Sequence, residues 1–322
     1  MAEMACSHDG SIENVKKMIS DIAESGADGI QFQIFSTDQL LIPTHPFYKK
    51  VKSLEIPLKD WEHLINLASD KKLSISINIL DQTALPLTLS EKVDFIKTHS
   101  ADLSNPEVIR KVGNSGKPVI ISTGGSTLVE INTAITELKN TKFSDIILMH
   151  GFQAFPTQFE DSHLNFIETL KKQFNYPVGY QDHVAGDHEM ARIIPLLAMA
   201  KGSIFIEKHI TDDRSRKGTD YESAINSSGF KNFVDLVEDA WKTFGSEEER
   251  SFSQAEIKYR KTFKKSLIAS RDIAANERLD DSMILIMRGE QGISPNKKSE
   301  IIGRVCNRAI KKYESFQLEY LK

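Results

Sequence analysis

Short apolar runs and amphipathic stretches alternate along most of this chain. Residues 2–6 are small and apolar enough for a strand, and Ser7-His8-Asp9-Gly10 reads as a turn. Over residues 12–25 the apolar positions Val15, Met18, Ile19 and Ile22 recur at helical spacing, with Ser11 placed to cap and Gly26 to stop the helix. Residues 30–34 alternate apolar with Gln31 and Gln33, as a strand does. A longer connection rich in Pro and His follows, through Thr44-His45-Pro46-Phe47. The pattern then predicts a helix over 58–70, strands over 73–77 and 93–96, and a helix over 106–115 with Pro106 at its favoured start. A strand over 118–121, a helix over 128–138, a strand over 146–149 and a helix over 164–174 come next. Val178 leads a short apolar run into Gly179-Tyr180-Gln181-Asp182-His183. A helix over 188–200 separates it from a second run, led by Ile204 into Phe205-Ile206-Glu207-Lys208-His209.

Strand followed by helix, about eight times over roughly 240 residues, predicts a parallel sheet with helices outside and fits a closed (β/α)8 TIM barrel. A doubly wound open sheet is the runner-up, weakened because no G-x-G-x-x-G follows the first strand. The texture changes near Gly245. Residues 1–245 are read as the barrel, the charged stretch 246–265 as a linker, and 266–322 as a small, mainly β domain. A core that small is marginal alone, so the domain is expected to dock on something, such as a partner subunit.

A net charge of -4 gives no basic field for nucleic acid and no attraction to an anionic membrane. Cys6 and Cys306 lie too far apart in sequence to suggest a disulfide framework or zinc knuckle, and a reduced cytoplasmic setting is expected. No apolar run reaches membrane-spanning length.

In a barrel the chemistry collects at the carboxyl ends of the strands. The residues expected there are Glu3, Gln31, Gln33, Asn78, Lys97, Ser122, Thr123, His150, Asp182, His183 and His209. The two final runs each pair an acid with a histidine. His183 and His209, on neighbouring strands with carboxylates nearby, suit a divalent metal. Hydroxyls and backbone N–H groups at Ser122-Thr123-Gly124 suit an anion.

These residues also carry a likeness. Ala2-Glu3 with His8-Asp9-Gly10, Lys97-Thr98-His99-Ser100, Ser122-Thr123-Gly124, Phe155-Pro156-Thr157, Asp182-His183, Glu207-Lys208-His209 and Gly218-Thr219-Asp220 occur in an order that resembles the N-acetylneuraminate (sialic acid) synthase family, legionaminic and pseudaminic acid synthases included. The tail, with Arg288, Gly292, Ile293, Pro295 and Ile302-Gly303-Arg304, resembles that family's antifreeze-like (SAF) domain. The resemblance implies condensation of phosphoenolpyruvate (PEP) with an N-acetylated hexosamine such as N-acetylmannosamine. It implies His183 and His209 as ligands of Mn2+ or Mg2+, and Glu3 as general base or water-orienting carboxylate. Lys97, Ser100, Ser122 and Gln31 fall at the PEP-binding positions. Gln33 and Asp220 fall at the sugar-binding positions, and Arg288 would reach the sugar site of the other subunit in a domain-exchanged homodimer.

The chain departs from the family pattern at several of these points. Gln31 replaces a lysine, Asn78 begins a changed segment after the third strand, Gln181 replaces a serine, and Phe155 replaces a tyrosine. Two further readings therefore accompany the synthase: a divergent member with an altered donor or acceptor, and a non-catalytic sugar-binding subunit.

Overall fold

A computed structural model describes residues 1–322. The chain divides into two compact units, Met1–Gly245 and Ser246–Lys322. In the first, eight parallel strands follow one another in chain order: β1 (Ala2–Glu3), β2 (Gly29–Ile34), β3 (Ser74–Ile79), β4 (Phe95–Thr98), β5 (Val119–Ser122), β6 (Ile146–His150), β7 (Val178–Asp182) and β8 (Phe205–Thr211). β8 closes on β1, with Ala2 opposite Lys208 and Glu3 opposite His209. The unit is thus a closed (β/α)8 barrel. A short ninth strand, β9 (Ile225–Asn226), pairs with the far end of β8. No helix is long and apolar enough to cross a membrane.

The periodicity that marks the strands has a specific cause here. Ile30, Phe32 and Ile34 on β2, and Ile75, Ile77 and Ile79 on β3, are fully buried on the outer face of the barrel, under the helices. Gln31 and Ser76, the alternate residues, face inward. Apolar positions therefore mark the contact with helices and polar positions mark the lumen. Each fully buried Ile or Phe contributes about 1.5–3 kcal/mol relative to an exposed one. The helices present matching stripes: Ile12–Ser25 buries Val15, Met18, Ile19 and Ile22, is capped by the Ser11 side chain, and ends at Gly26 with φ 83. Leu128–Lys139 starts with a reciprocal capping box between Thr127 and Glu130.

Several elements differ from the expectations. β1 stops at Glu3 because the Ala5 N–H turns back to Glu3 Oε1 at 2.7 Å, with Ala5 at φ 47. β4 lies two residues later than expected, which puts Lys97 inside the strand. The β3–β4 crossover holds only the short helical turns Gln82–Ala84 and Leu85–Thr88. The last barrel helix, Ser227–Phe244, buries Phe230 and Phe233 at i and i+3, a periodicity that the sequence reading passed over.

The lumen is plugged at its amino-terminal end by Phe95 and Phe205, whose rings lie 6.3 Å apart edge to face. Met149 fills the adjoining space, and only a glycine fits beside it: a Cβ on Gly179 would stand 2.2 Å from Met149 Sδ.

The second unit begins with helix Gln254–Phe263, inside the stretch expected to be a linker. Its capping box joins Ser253 and Glu256, and Arg250 holds Glu256 through two contacts of 2.8 Å. Antiparallel β10 (Lys265–Ala269) and β11 (Ile284–Arg288) cover a core that includes Leu267, Ile273, Leu279, Ile301 and Phe316.

Candidate active site

Strand alternation sorts the candidate residues by face. Glu3, Gln31, Gln33, Asn78, Lys97, Ser122, Gln181 and His209 share the inner register with Ser76 and Glu207. His183 follows Gln181 by two residues and lies against His209, ring centroids 5.1 Å apart and nearly perpendicular.

Below the imidazoles lies a buried polar layer. Lys97 Nζ reaches from β4 to β8 and contacts both Glu207 oxygens, at 2.6 and 2.7 Å. Gln31 Nε2 donates to Glu3 Oε2 and, at 3.1 Å, to Glu207 Oε2, while Gln31 Oε1 accepts from Ser76 Oγ at 3.0 Å. Two carboxylates thus lie in a layer with one cation, which Glu207 holds. Burial, and then the Glu207 carboxylate, push Glu3 up to about 8, against the pull of Lys97. The acid without a cation keeps its proton at neutral pH, which leaves Lys97 and Glu207 as a balanced pair. On the far wall Ser122 Oγ donates to Gln181 Oε1 at 3.1 Å. The longer Gln181 side chain fits because residue 151 is glycine: a Cβ there would stand 2.2 Å from Gln181 Cγ.

The imidazoles are arranged to act as neutral donors. His183 Nδ1 lies 2.7 Å from the Phe152 carbonyl, an acceptor only, so Nδ1 carries the proton and Nε2 keeps its lone pair. His209 Nδ1 is buried without a hydrogen-bond partner. Burial lowers both histidines, His209 well below its ordinary value. An orphaned ring nitrogen beside a tautomer-locked imidazole fits a divalent cation. No group of three or more His, Cys, Asp or Glu side chains is placed to hold one. The pair would hold an ion with most positions left to substrate and water. Phe155 covers both rings, its centroid 4.5 Å from His183 and 6.3 Å from His209.

Two residues expected at the mouth face the other way. Asp182 lies on the outer face, where Lys208 and the Tyr180 hydroxyl hold it, and both members of that ion pair are fully buried. His150 also turns outward, with Nε2 2.9 Å from the Ser162 carbonyl and its ring near Phe166 and Tyr180. The acid–histidine echo in sequence is therefore not an echo in space. Asp182 is adjacent to His183 and on the opposite face, whereas Glu207 is two residues from His209 and on the same face. Neither carboxylate is free to join the imidazoles as a ligand.

The remaining candidates spread around the rim. Ser100 Oγ accepts from Gln153 Nε2 at 3.0 Å, and Thr123 Oγ1 donates to the Met149 carbonyl at 3.0 Å. Gln33 is half-buried opposite Asn78, whose Oδ1 is buried without a partner. Asp220 Oδ2 accepts from the Cys6 N–H at 3.0 Å, tying the loop after β8 to the loop after β1. Arg288 belongs to the second unit, its guanidinium 5.2 Å from the Phe263 ring centroid. Glu207 enters the sequence reading only as a carboxylate near the imidazoles, and Gln181 only as a departure from the family pattern, although their period-two spacing from His209 and His183 marks both for the lumen. Two cavities have neither His183 nor His209 in their lining: one of about 570 Å³ lined by Phe95, Phe205 and Trp241, and one of about 710 Å³ lined by Thr123, Gly125, Phe152 and His163.

A model of the NeuB family matches residues 18–249, and a model of the SAF domain matches residues 264–317. An uncharacterised protein of Methanocaldococcus jannaschii is 32% identical over 94% of this chain and 88% of its own length. The N,N'-diacetyllegionaminic acid synthase of Legionella pneumophila is 28% identical over 94% of this chain and 88% of its own. The crystal structure of an N-acetylneuraminic acid (sialic acid) synthetase from Leptospira borgpetersenii, in complex with citrate, superposes with a TM-score of 0.73. It shares 30% identity and covers 81% of this chain and 90% of its own.

Proposed function

The chain belongs to the NeuB family, and from that premise we propose that it condenses phosphoenolpyruvate with the open-chain aldehyde of an N-acetylated hexosamine. The product is a 3-deoxy-2-keto nonulosonic acid, with inorganic phosphate released. The observation that carries this reading is the stack inside the barrel, two neutral imidazoles above a buried layer holding Lys97, Glu207 and Glu3. It is also in keeping with relatives named as synthases of nonulosonic acids.

The bookkeeping of the reaction assigns tasks to residues. The methylene carbon of the donor bonds to the aldehyde carbon, whose oxygen takes a proton. Water adds at the phosphate-bearing carbon, and the carbon–oxygen bond to phosphate breaks to leave the ketone. His183 Nε2 and His209 would hold a manganese or magnesium ion, which supplies Lewis-acid polarisation of the acceptor carbonyl. Lys97, Ser100, Ser122 and Gln31 line the wall that receives the donor anion. Lys97 would serve there as a point charge and Ser100 as a hydrogen-bond donor, while Ser122 and Gln31 could donate only by giving up their contacts with Gln181, Glu3 and Glu207. Glu3 orients the attacking water through its carboxyl group. Gln33, Asp220 and the partner subunit's Arg288 take the hydroxyl and N-acyl groups of the acceptor, in a homodimer that exchanges its small domains.

The test is a mass-spectrometric screen of phosphoenolpyruvate against a panel of amino hexoses, with phosphate release followed in parallel. The reading predicts a product heavier than the acceptor by the three-carbon acid unit. Chelator should abolish its formation and manganese should restore it. Metal binding without turnover on any acceptor would favour a sugar-binding subunit instead.

A further inference from the structure

The inner face of the barrel is built in rungs between β4 and β8. Phe95 meets Phe205 at the floor, 6.3 Å between centroids, and two residues further on Lys97 meets Glu207 at 2.6 Å. His209 is the next inward residue of β8. Just past the end of β4 the backbone of His99 stays extended, φ -67 and ψ 148, so alternation directs its side chain toward the face of Lys97. Its imidazole thereby comes close to Lys97, Glu207 and His183.

His99 is held ready rather than used. Its Nδ1 accepts the Ala101 N–H at 3.2 Å, which caps the short turn Ser100–Asp102 and fixes the proton on Nε2. That Nε2–H has no partner among the protein's hydrogen bonds. Lys97, Glu207 and His183 are the charged and titratable groups around it. Burial, followed by Lys97 and then His183, lowers it to about 4, so it is a neutral donor at physiological pH. The neighbouring Ser100 hydroxyl is fixed by Gln153 at 3.0 Å. Meanwhile Gln31 is uncharged and its amide N–H groups are taken by Glu3 and Glu207, and Lys97 is already engaged by Glu207. An incoming anion needs further donors, and the free N–H of His99 stands where they are missing. Metal ligation is disfavoured, because Nδ1 spends its lone pair on the Ala101 N–H and Nε2 carries the proton, the reverse of His183.

We infer that His99 is a substrate-binding residue, donating its Nε2–H to an oxygen of the anionic three-carbon donor at the barrel mouth. The inference rests on the function proposed above and assigns a role in it that is particular to this chain.

Calorimetric titration of phosphoenolpyruvate into the wild-type protein, His99→Ala and His99→Gln tests it, with manganese titrated separately. A hydrogen bond to a charged group is worth roughly a tenfold to hundredfold change in affinity. The expected result is a loss of that size in His99→Ala, substantial recovery in His99→Gln, which keeps an N–H donor, and unchanged manganese affinity in both. Wild-type-like affinity for phosphoenolpyruvate in His99→Ala overturns the inference alone. Manganese affinity falling in step with that of the donor also overturns it, in favour of a metal ligand. A wild-type protein that binds no phosphoenolpyruvate overturns the functional reading and this inference together.

Discussion

Replacing Lys97 by Met removes the one ammonium that holds Glu207. Both Glu207 oxygens lie within 2.7 Å of Lys97 Nζ, and the carboxylate is 1% exposed, so bulk solvent stabilises its charge little. Breaking a buried pair from one side costs about 3–5 kcal/mol. The stranded carboxylate can escape part of that cost by taking a proton. Protonation costs about 1.4 kcal/mol per pH unit above the ordinary carboxylate value, which sets a ceiling near 4 kcal/mol at pH 7 and about 1 kcal/mol at pH 5. Urea unfolding followed through the buried Trp61 should therefore show a loss of about 3–4 kcal/mol at pH 7 that shrinks to about 1 kcal/mol at pH 5. Adding Glu207→Gln should restore most of it, because no charge is then left unpaired. A loss under about 1 kcal/mol at pH 7, independent of pH and unaffected by the second change, would refute the reasoning, since that is the value of a solvated pair.

Three further outcomes follow from the same layer and its surroundings. Glu3 is raised from 4.5 to about 8. The folded state therefore holds an extra proton between those values, and this group's contribution is full below pH 4.5 and lost as pH rises through 8. Glu3→Gln should flatten the decline of unfolding free energy across that range, at about 1.4 kcal/mol per unit, and an unchanged slope would contradict it. Gln31→Lys places a second ammonium between Glu3 and Glu207, and carboxyl-detected NMR should find Glu3 titrating closer to the ordinary carboxylate range. Lys208→Met leaves Asp182 unpaired on the outer face and should cost about 3–5 kcal/mol in denaturation while leaving manganese binding in the native state intact.

Much of the barrel was legible because its strands obey one rule. Ile-Gln-Phe-Gln-Ile on β2 puts apolar groups on the helices and amides in the lumen, and that pattern survives in a single sequence. The β3–β4 crossover was less legible, because a single helical turn leaves no periodicity to read. At the site, His183 and His209 could be found from strand ends alone. Asp182 was misread because adjacency in sequence was taken for adjacency in space. Asp182 is one residue from its histidine and lands on the far side of the wall, paired with Lys208. Glu207 is two residues from its own and faces inward, and its engagement with Lys97 depends on a contact across the lumen that no local spacing records. His150 failed for the same reason as Asp182. His99 carried the opposite signal, two residues after Lys97 and hence on the inner face.

The central claim is that two imidazoles from neighbouring strands share one divalent ion. Titration of manganese into the protein, followed by electron paramagnetic resonance, tests it most directly. The account predicts a single site in the wild-type protein, lost in both His183→Ala and His209→Ala while the fold persists by circular dichroism. Manganese held undiminished by either variant, or by more than one equivalent site, would contradict it.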